Sequence, residues 1–148
     1  MNDEHFTRQK EHAREIYNSQ KSIFNPYFNK DVLLNSKGFH HLQNSQGRIR
    51  NKNEQLFKFR FLKLGFEVLK TSSTIQEYRE SSFYDYQKKV SKPAQFWGMI
   101  AIVGDKKLRI RVVVRKIGEG ELHFWSVMPY TKIKNGRQKI YDEGLENW

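Results

Sequence analysis

The stretch Phe96-Trp-Gly-Met-Ile-Ala-Ile-Val-Gly-Asp-Lys-Lys-Leu-Arg-Ile-Arg-Val-Val-Val-Arg-Lys116 decides the fold of this chain. It contains two runs rich in aromatic and β-branched residues, and Gly104-Asp105 between them is a turn signal. These features predict an antiparallel hairpin. Residues 122–128 predict a third strand, which stops at Pro129 because proline has no N–H to donate to a neighbouring strand.

A helix is predicted upstream of this hairpin, from Asn53 to Lys70. Asn51 and Glu54 have the spacing of a capping box, and apolar residues then recur at helical intervals, at Leu56, Phe59, Leu62, Phe66 and Leu69. A strand is the alternative. Phenylalanines at positions 57, 59 and 61 alternate with basic residues, and Gly65 weakens a helix by roughly 1 kcal/mol.

The length and the order of these signals predict one α+β domain over residues 1–148, with N-terminal helices packed on one antiparallel sheet of about four strands. We expect a helical leader over residues 1–30 and a mainly helical half over residues 31–80. Residues 81–130 are expected to form the sheet. The remaining residues, 131–148, lack clear periodicity and are predicted to be a C-terminal tail.

Finer boundaries follow from local patterns. A peripheral helix is expected from Glu4 to Gln20, because only a narrow apolar stripe recurs there. Residues 74–80 are expected to form a short capped turn that leads into an edge strand at residues 83–86. The tail is expected to dock through one of its large apolar side chains, Ile140, Tyr141 or Trp148.

The charge of the chain favours a polyanionic partner. It has 27 Lys and Arg against 16 Asp and Glu, a net charge of +11, and a charge of this size attracts polyanions over long range. The whole excess lies in residues 37–70 and 105–116, since acidic and basic residues balance elsewhere. Nucleic acid is therefore the expected partner, with single-stranded RNA favoured.

Composition and missing motifs exclude several other classes. The sequence has no Cys, which excludes disulfides, cysteine zinc sites and thiol catalysis. It has no Gly-rich nucleotide loop and no clustered carboxylates or paired histidines at metal-ligand spacing, so we expect no metal and no cofactor. The polar N-terminus and the lack of a long apolar run predict a cytoplasmic protein that makes no membrane contact.

The strand over residues 108–116 presents two different faces. Because side chains alternate along a strand, Leu108, Ile110, Val112 and Val114 face one way, and Arg109, Arg111, Val113 and Arg115 face the other. We expect the second face to be solvated and positively charged. Guanidinium groups there would bind phosphates in bidentate fashion, although a charged face that merely resists aggregation is the alternative.

Histidines near these basic regions suggest a chemistry. RNA can be cleaved without metal when one group activates the ribose 2′-hydroxyl, another protonates the leaving oxygen and cations stabilise the transition state. His41 and His123 each lie in an apolar-flanked element beside the charge, and histidine serves as acid or base. His40 and His41 are adjacent and are not expected to act as a pair. Ser126 can donate a hydrogen bond to phosphate, whereas Trp125 more often belongs to a core.

The order of parts resembles the barnase–EndoU–colicin–RelE nuclease superfamily, especially its phage- and toxin-associated branches. N-terminal helices carry Gly38-Phe-His-His-Leu42, and a basic sheet then ends in His123-Phe-Trp-Ser-Val-Met-Pro129. His41 matches the family's Gly-x-x-His helix motif, and Ser126 with Pro129 matches its late-strand motif. The similarity spans about residues 31–130 and implies RNA cleavage, with an acidic antitoxin or immunity protein as partner. The second histidine of the helix and His123 depart from the pattern and leave the general base unassigned.

These observations lead to one hypothesis and two alternatives. We expect a metal-independent endoribonuclease in which His41 is acid or base, Arg111 and Arg115 bind the scissile phosphate, and Ser126 or His123 assists. Five further basic side chains are expected to contact the RNA: Arg48, Arg50, Lys58, Arg109 and Lys116. The alternatives are a non-catalytic RNA- or DNA-binding module that uses the arginine face, and a structural protein of a phage or mobile element. Neither needs a histidine.

Overall fold

The computed structural model describes residues 3–45, 47–134 and 137–140, the last eight of them by their backbone alone. Helices and strands follow one another along the chain. In order they are α1 (Asp3–Asn18), β1 (Ser22–Asn25), β2 (Lys30–Leu33), α2 (Ser36–Gln43), β3 (Asn44–Ser45), β4 (Arg48–Ile49), α3 (Lys52–Thr71), β5 (Glu77–Asp85), β6 (Val90–Val103), β7 (Leu108–Ile117), β8 (His123–Pro129), β9 (Thr131–Lys134) and β10 (Arg137–Ile140).

The main sheet of the described chain has six strands in the order β1-β2-β8-β7-β6-β5. Strands β5 to β8 form an antiparallel meander, as the hairpin and third-strand signals predict. The hairpin of β1 and β2 joins this meander through a parallel contact between Leu33 and His123. The α+β class is confirmed, but the prediction of about four strands is wrong because it omits this hairpin.

Helix α3 confirms the helical interpretation of residues 53–70 and rules out the strand. Asn51 Oδ1 accepts a hydrogen bond from Glu54 N at 2.9 Å, which is the predicted cap. One face of α3 packs on the sheet through Phe59, Leu62, Phe66 and Leu69. A Cβ atom at Gly65 would lie 2.6 Å from Val127 Cγ2. The glycine thus costs helix propensity but lets α3 contact β8 closely.

Several sequence-based boundaries need correction. Residues 1–30 contain α1, as expected of a helical leader, but also β1. The apolar run 32–34, placed in the helical half, contributes Val32 and Leu33 to β2, with Val32 buried in the core and Leu34 buried just beyond the strand. Strand β5 begins at Glu77, where a capped turn was expected, since residues 77–85 pair with β6 along their whole length. The sheet therefore starts before residue 81.

Two small sheets accompany the main one in the described chain: β3 pairs with β4, and the C-terminal segment forms another two-stranded sheet. Backbone pairing joins β9 and β10, where an irregular tail was predicted. The side chain of Ile140 and the whole of Tyr141 and Trp148, proposed as docking groups, lie outside the residues that the structure describes in this detail.

The second face of β7 is covered rather than solvated, which corrects the expectation of an exposed arginine face. Alternation along the strand is confirmed: Ile110, Val112 and Val114 join the core under the helices, while Val113 packs with Phe96 in a smaller cluster on the opposite face. The relative exposure of Arg111 is only 2% and that of Arg115 only 7%. These two guanidinium groups are therefore held inside the protein.

Candidate functional site

Helix α2 is seated on β8 by Gly38. The Asn35 side chain caps this helix by accepting a hydrogen bond from Gly38 N at 3.2 Å. A Cβ atom at Gly38 would lie 2.4 Å from the carbonyl oxygen of Phe124 and 2.5 Å from the hydroxyl of Tyr17. Only glycine permits this approach. Because residues three apart share a helix face, the contact also brings His41 against β8, which gives the Gly-x-x-His spacing a physical reason.

The ring of His41 stacks on Trp125, with 3.9 Å between ring centroids and an interplanar angle of 14°. The guanidinium carbon of Arg115 lies 3.4 Å from the centroid of the Trp125 ring. Trp125 occupies an irregularity in the pairing of β7 with β8. The indole therefore links the histidine of α2 to the arginine of β7.

Three cations converge on His41. Arg50 donates from Nη2 to His41 Nε2 at 3.3 Å and from Nε to the His41 carbonyl at 3.1 Å. Arginine has only donors, so His41 Nε2 is the acceptor and the neutral ring carries its proton on Nδ1. Burial, reinforced by the charges of Arg50, Lys58 and Arg115, lowers the pKa of His41 to about 2. His41 is neutral at physiological pH.

Lys58 reaches this region from α3 and is buried. Its Nζ donates to Ser126 Oγ and to the Val127 carbonyl, both at 3.1 Å. Ser126 has no exposed surface, so its hydroxyl anchors the lysine and does not face a ligand. Placing an ammonium group inside the protein is costly, and here it adds to the positive potential around His41.

His123 contacts Arg115 and fixes the position of its guanidinium group. Arg115 donates from Nε to His123 Nε2 at 2.9 Å, and His123 Nδ1 lies 3.3 Å from the carbonyl oxygen of Glu121. Burial, with the Arg115 charge adding to it, lowers the pKa of His123 to about 4. Burial also lowers the pKa of Arg115, to about 10, which leaves it charged at neutral pH. His123 is thus a positioning residue for a cationic arginine.

An open cavity of about 670 Å³ lies over this cluster. Residues of α2, the β3–β4 segment, β5 and β6 line it together with Arg115 and Trp125, and the described lining residues include no carboxylate. The lining residues are His40, His41, Asn44, Ser45, Gly47, Arg79, Ser81, Ser82, Phe83, Ala94, Phe96, Arg115 and Trp125. Hydroxyls, amides, aromatic rings and cations on one concave surface suit a phosphate-bearing ligand.

His40 is the exposed histidine of this cavity. The Asn44 side-chain amide donates to His40 Nδ1 at 3.3 Å and to the His40 carbonyl at 3.0 Å. In this arrangement the neutral ring carries its proton on Nε2. Both adjacent histidines line the cavity, His41 from inside the protein and His40 from its surface.

Arg111 does not line this cavity. Its guanidinium makes a bidentate pair with Glu77 of β5, with Nε 2.7 Å from Oε1 and Nη2 3.1 Å from Oε2. Glu77 occupies both sides of the fork that a phosphate would need. The predicted role of Arg111 in phosphate binding therefore has no support in this geometry.

The remaining predicted RNA contacts are dispersed. Arg48 is exposed on β4, close to the cavity in sequence but not among its lining residues. Arg109 lies 6.0 Å from the Tyr130 ring centroid. Lys116 lines a different cavity, beside Trp97 and Lys30. Of the five predicted RNA-contacting residues, only Arg50 and Lys58 thus lie beside His41.

Sequence reasoning missed Arg79 and misjudged Trp125. Arg79 lies on β5 and lines the cavity, but its segment was interpreted as a turn. Residues 77–82 contain one apolar side chain, Tyr78, and no apolar–polar alternation, so this part of the strand carries no local sequence signal. Trp125 was interpreted as a core residue, and nothing in its sequence context indicates that a pairing irregularity brings it to a cavity wall.

Three further findings complete the description. Among the described residues, no group of three or more His, Asp or Glu side chains is placed to hold a metal ion. The helices of the described chain are all too short or too polar to cross a membrane. Comparison of the chain with protein-family models, with curated proteins and with solved structures gives no match.

Proposed function

We propose that the protein is a metal-independent endoribonuclease that binds single-stranded RNA in the cavity over Trp125. The observation that carries this proposal is the convergence of Arg50, Lys58 and Arg115 on His41, beneath a cavity whose described lining has no carboxylate. Lys58 and Arg115 are buried, and Arg50 is half-buried with the Glu54 carboxylate 3.9 Å away. Like charges held this close repel one another and lower stability. An anionic ligand relieves that cost, and the phosphodiester of RNA is the polyanion that the net charge of +11 favours.

The chemistry assigned to the cavity is transesterification. The ribose 2′-hydroxyl loses its proton to water as the 2′-oxygen bonds to phosphorus, the bond to the 5′-oxygen breaks, and that oxygen takes up a proton from the imidazolium form of His40. The products are a 2′,3′-cyclic phosphate and a 5′-hydroxyl. Arg115, with Arg79 across the cavity, stabilises the charge that builds up on the phosphoryl oxygens.

We assign proton transfer to His40 and a positioning role to His41. His40 is exposed in the cavity, and because Asn44 contacts its Nδ1, Nε2–H is the group left to give a proton to the leaving oxygen. His41 has a pKa lowered to about 2, and Arg50 occupies its Nε2. A neutral imidazole whose Nε2 already accepts a hydrogen bond is a poor acid or base. It can still hold Arg50 and Trp125 in position. Resemblance to the nuclease superfamily would instead assign proton transfer to His41 through the Gly-x-x-His motif.

The order of elements also supports the superfamily resemblance. Helices α1 to α3 precede the antiparallel meander β5 to β8, with the motif histidine on α2 and Ser126 on the last meander strand. The same resemblance suggests a toxin with an acidic antitoxin or immunity protein as partner. Toxicity on expression that disappears in Arg115→Met would support this role, and equal toxicity of the variant would argue against it.

RNA binding without cleavage is the second candidate function. Its support comes from the two buried histidines, His41 and His123. Both are neutral, and the Nε2 of each accepts a hydrogen bond from an arginine, so neither can give a proton to RNA from that nitrogen. The cavity binds phosphate equally well in either case. Among the residues of the cavity, His40 is the one that cleavage requires and binding alone does not.

The test is incubation of end-labelled single-stranded RNA with the protein in excess EDTA. We expect cleavage with 2′,3′-cyclic phosphate ends, reduced at least about 100-fold in Arg115→Met and in His40→Gln. Lys116→Met is the matched control, because it removes the same charge at the next position of β7 from a side chain that lines another cavity. Its activity should stay within about twofold of the wild-type protein.

Other results of this assay would contradict specific parts of the proposal. Loss of cleavage in EDTA would exclude the metal-independent mechanism. Salt-sensitive binding without cleavage would favour the second candidate function. Loss of activity in His41→Gln with none in His40→Gln would reverse the histidine assignment, and equal losses in Lys116→Met and Arg115→Met would remove the cavity from the proposal.

A further inference from the structure

The tip of the β5–β6 hairpin is a surface that the cavity does not include. It carries two exposed tyrosines, with Tyr84 44% and Tyr86 82% exposed. Their rings contact each other at 4.7 Å between centroids, at an interplanar angle of 75°. Exposed aromatic pairs are uncommon on protein surfaces, and stacking on nucleobases is a principal use of such rings.

The same tip is basic. Lys88 and Lys89 are exposed in the turn, and Lys92 follows on β6. The nearby acidic side chain, Asp85, accepts hydrogen bonds from the backbone N–H groups of Gln87 and Lys88 and lies 3.6 Å from Lys92. Its carboxylate therefore shapes the turn and offsets one lysine, which leaves Lys88 and Lys89 in excess.

The tip lies at the end of the hairpin whose strands line the cavity. Tyr84 alternates with Phe83 and therefore lies on the opposite face of the sheet, so RNA leaving the cavity reaches the tip by crossing the edge strand β5. Phe83 of β5 and Ala94 of β6 line the cavity, and Tyr86 is three residues beyond Phe83, about 10 Å along an extended strand. A single strand of RNA with a phosphate in the cavity therefore reaches the tip within a few nucleotides. The distance fits the footprint of a protein that combines a basic groove with aromatic platforms.

From these observations we propose that the hairpin tip formed by Tyr84, Tyr86, Lys88 and Lys89 is a second binding surface for the same RNA strand. It stacks on unpaired bases and contacts phosphates next to those in the cavity. This inference rests on the proposed RNA-binding function. It assigns the protein an extended single-stranded substrate rather than a dinucleotide or a free nucleotide.

The structure offers a matched control at the other end of β6. The β6–β7 turn also carries two adjacent lysines, Lys106 and Lys107, and Lys107 has a φ of 51°, close to the 53° of Lys89. This control turn begins eight residues beyond Phe96, about 26 Å along the strand. Reversing both charges changes the net charge equally in either turn, so long-range attraction falls equally.

The experiment measures the affinity of 2′-O-methyl oligouridylate, which lacks the attacking hydroxyl, as a dodecamer and as a dinucleotide. Tyr84→Ala/Tyr86→Ala and Lys88→Glu/Lys89→Glu should each weaken dodecamer binding about tenfold or more, and leave dinucleotide binding within about twofold. Lys106→Glu/Lys107→Glu should bind both probes within about threefold of the wild-type protein. Thermal melts of each variant verify that it is folded.

The outcomes separate this inference from the function on which it rests. Wild-type affinity for the dodecamer in every tip variant, with binding lost in Arg115→Met, would overturn the inference and leave the proposed function standing. Equal weakening of the two probes, or equal effects of tip and control turns, would also overturn it. Failure of the wild-type protein to bind either probe would overturn both.

Discussion

Arg111 and Arg115 lie four residues apart on the same face of β7, and both are buried, yet their surroundings differ. Arg111 is held in a bidentate pair by Glu77 of the edge strand. Arg115 contacts His123 and Trp125, and none of the described carboxylates pairs with it. One arginine is neutralised within the fold, while the other leaves a positive charge at the base of a cavity.

The difference teaches that a partner, and not a charge pattern, determines the role of an arginine. Sequence alternation places both side chains correctly on one face, but the acidic or aromatic neighbour comes from other strands. Glu77 reaches Arg111 from β5, whereas Trp125 reaches Arg115 from β8. The following predictions test this contrast, beginning with the largest expected effect.

Breaking the Arg111 pair should destabilise the fold. Arg111→Met leaves the mostly buried Glu77 carboxylate without its partner and should lower the free energy of unfolding by about 4 kcal/mol. Arg115→Met leaves no carboxylate behind, only the buried Nε2 of His123 without its donor, and should lower it by a smaller amount, about 1–2 kcal/mol. Urea denaturation of both variants checks the contrast. Adding Glu77→Gln to Arg111→Met should recover part of the loss, and equal losses in the two single variants would contradict the contrast.

Lowering the pH should reduce the free energy of unfolding through the two buried histidines near Arg115. His41 and His123 have pKa values lowered to about 2 and about 4, against about 6.5 in an unfolded chain. Their contribution to stability is therefore complete above about pH 6.5 and is lost as the pH falls below it, because the unfolded chain then binds more protons. Each should contribute a loss of about 2 kcal/mol between about pH 7.5 and pH 5.

The measurement is urea denaturation at both pH values, compared with His41→Gln/His123→Gln. Removing both histidines should abolish most of the pH dependence in this range. A variant that keeps the full slope would show that other groups cause it.

Displacing α2 should disturb the surroundings of Arg115 and spare those of Arg111. Gly38→Ala places a Cβ atom against the backbone of Phe124, and overpacking of this kind costs about 1–3 kcal/mol. Because His41 shares this helix face, RNA affinity should fall along with stability. Gly65→Ala, which crowds α3 against Val127 instead, is the comparison: it should lower stability without the matching loss of RNA affinity, measured by titration of RNA into each folded variant.

The smallest expected effect is stabilisation by a simple anion. Pyrophosphate at about five times its Kd should add about 1 kcal/mol to the free energy of unfolding, which raises Tm by about 3 °C for a chain of this size. The shift should disappear in Arg115→Met and persist in Lys116→Met. An equal shift in both variants would locate the anion elsewhere.

Local patterns were enough to predict much of the fold. The capping residues Asn51 and Glu54 and the heptad-like spacing after them predict α3, and the β-branched runs predict β6 and β7. The β1–β2 hairpin could not be predicted in the same way. Each of these strands has four residues, too few for a periodic signal, and β2 joins the sheet through a single parallel pairing with His123.

The candidate site was predictable only in part. The Gly38 to His41 spacing and the position of Arg115 were visible in the sequence, and the structure brings His41 and Arg115 to one cavity. The role of Ser126 depends on Lys58, which approaches it from a distant helix, and the role of His123 depends on Arg115, its pairing partner on the neighbouring strand. No local pattern specifies such contacts, so a buried anchor and an exposed ligand look alike in the sequence.

The most direct test of the central claim is a crystal structure of the protein with a 2′-O-methyl trinucleotide. The account predicts a phosphate in the cavity over Trp125, within hydrogen-bonding distance of the Arg115 guanidinium and beside His40. A trinucleotide bound instead in the cavity of Lys30 and Lys116, or a phosphate held by Arg111 in place of Glu77, would contradict it.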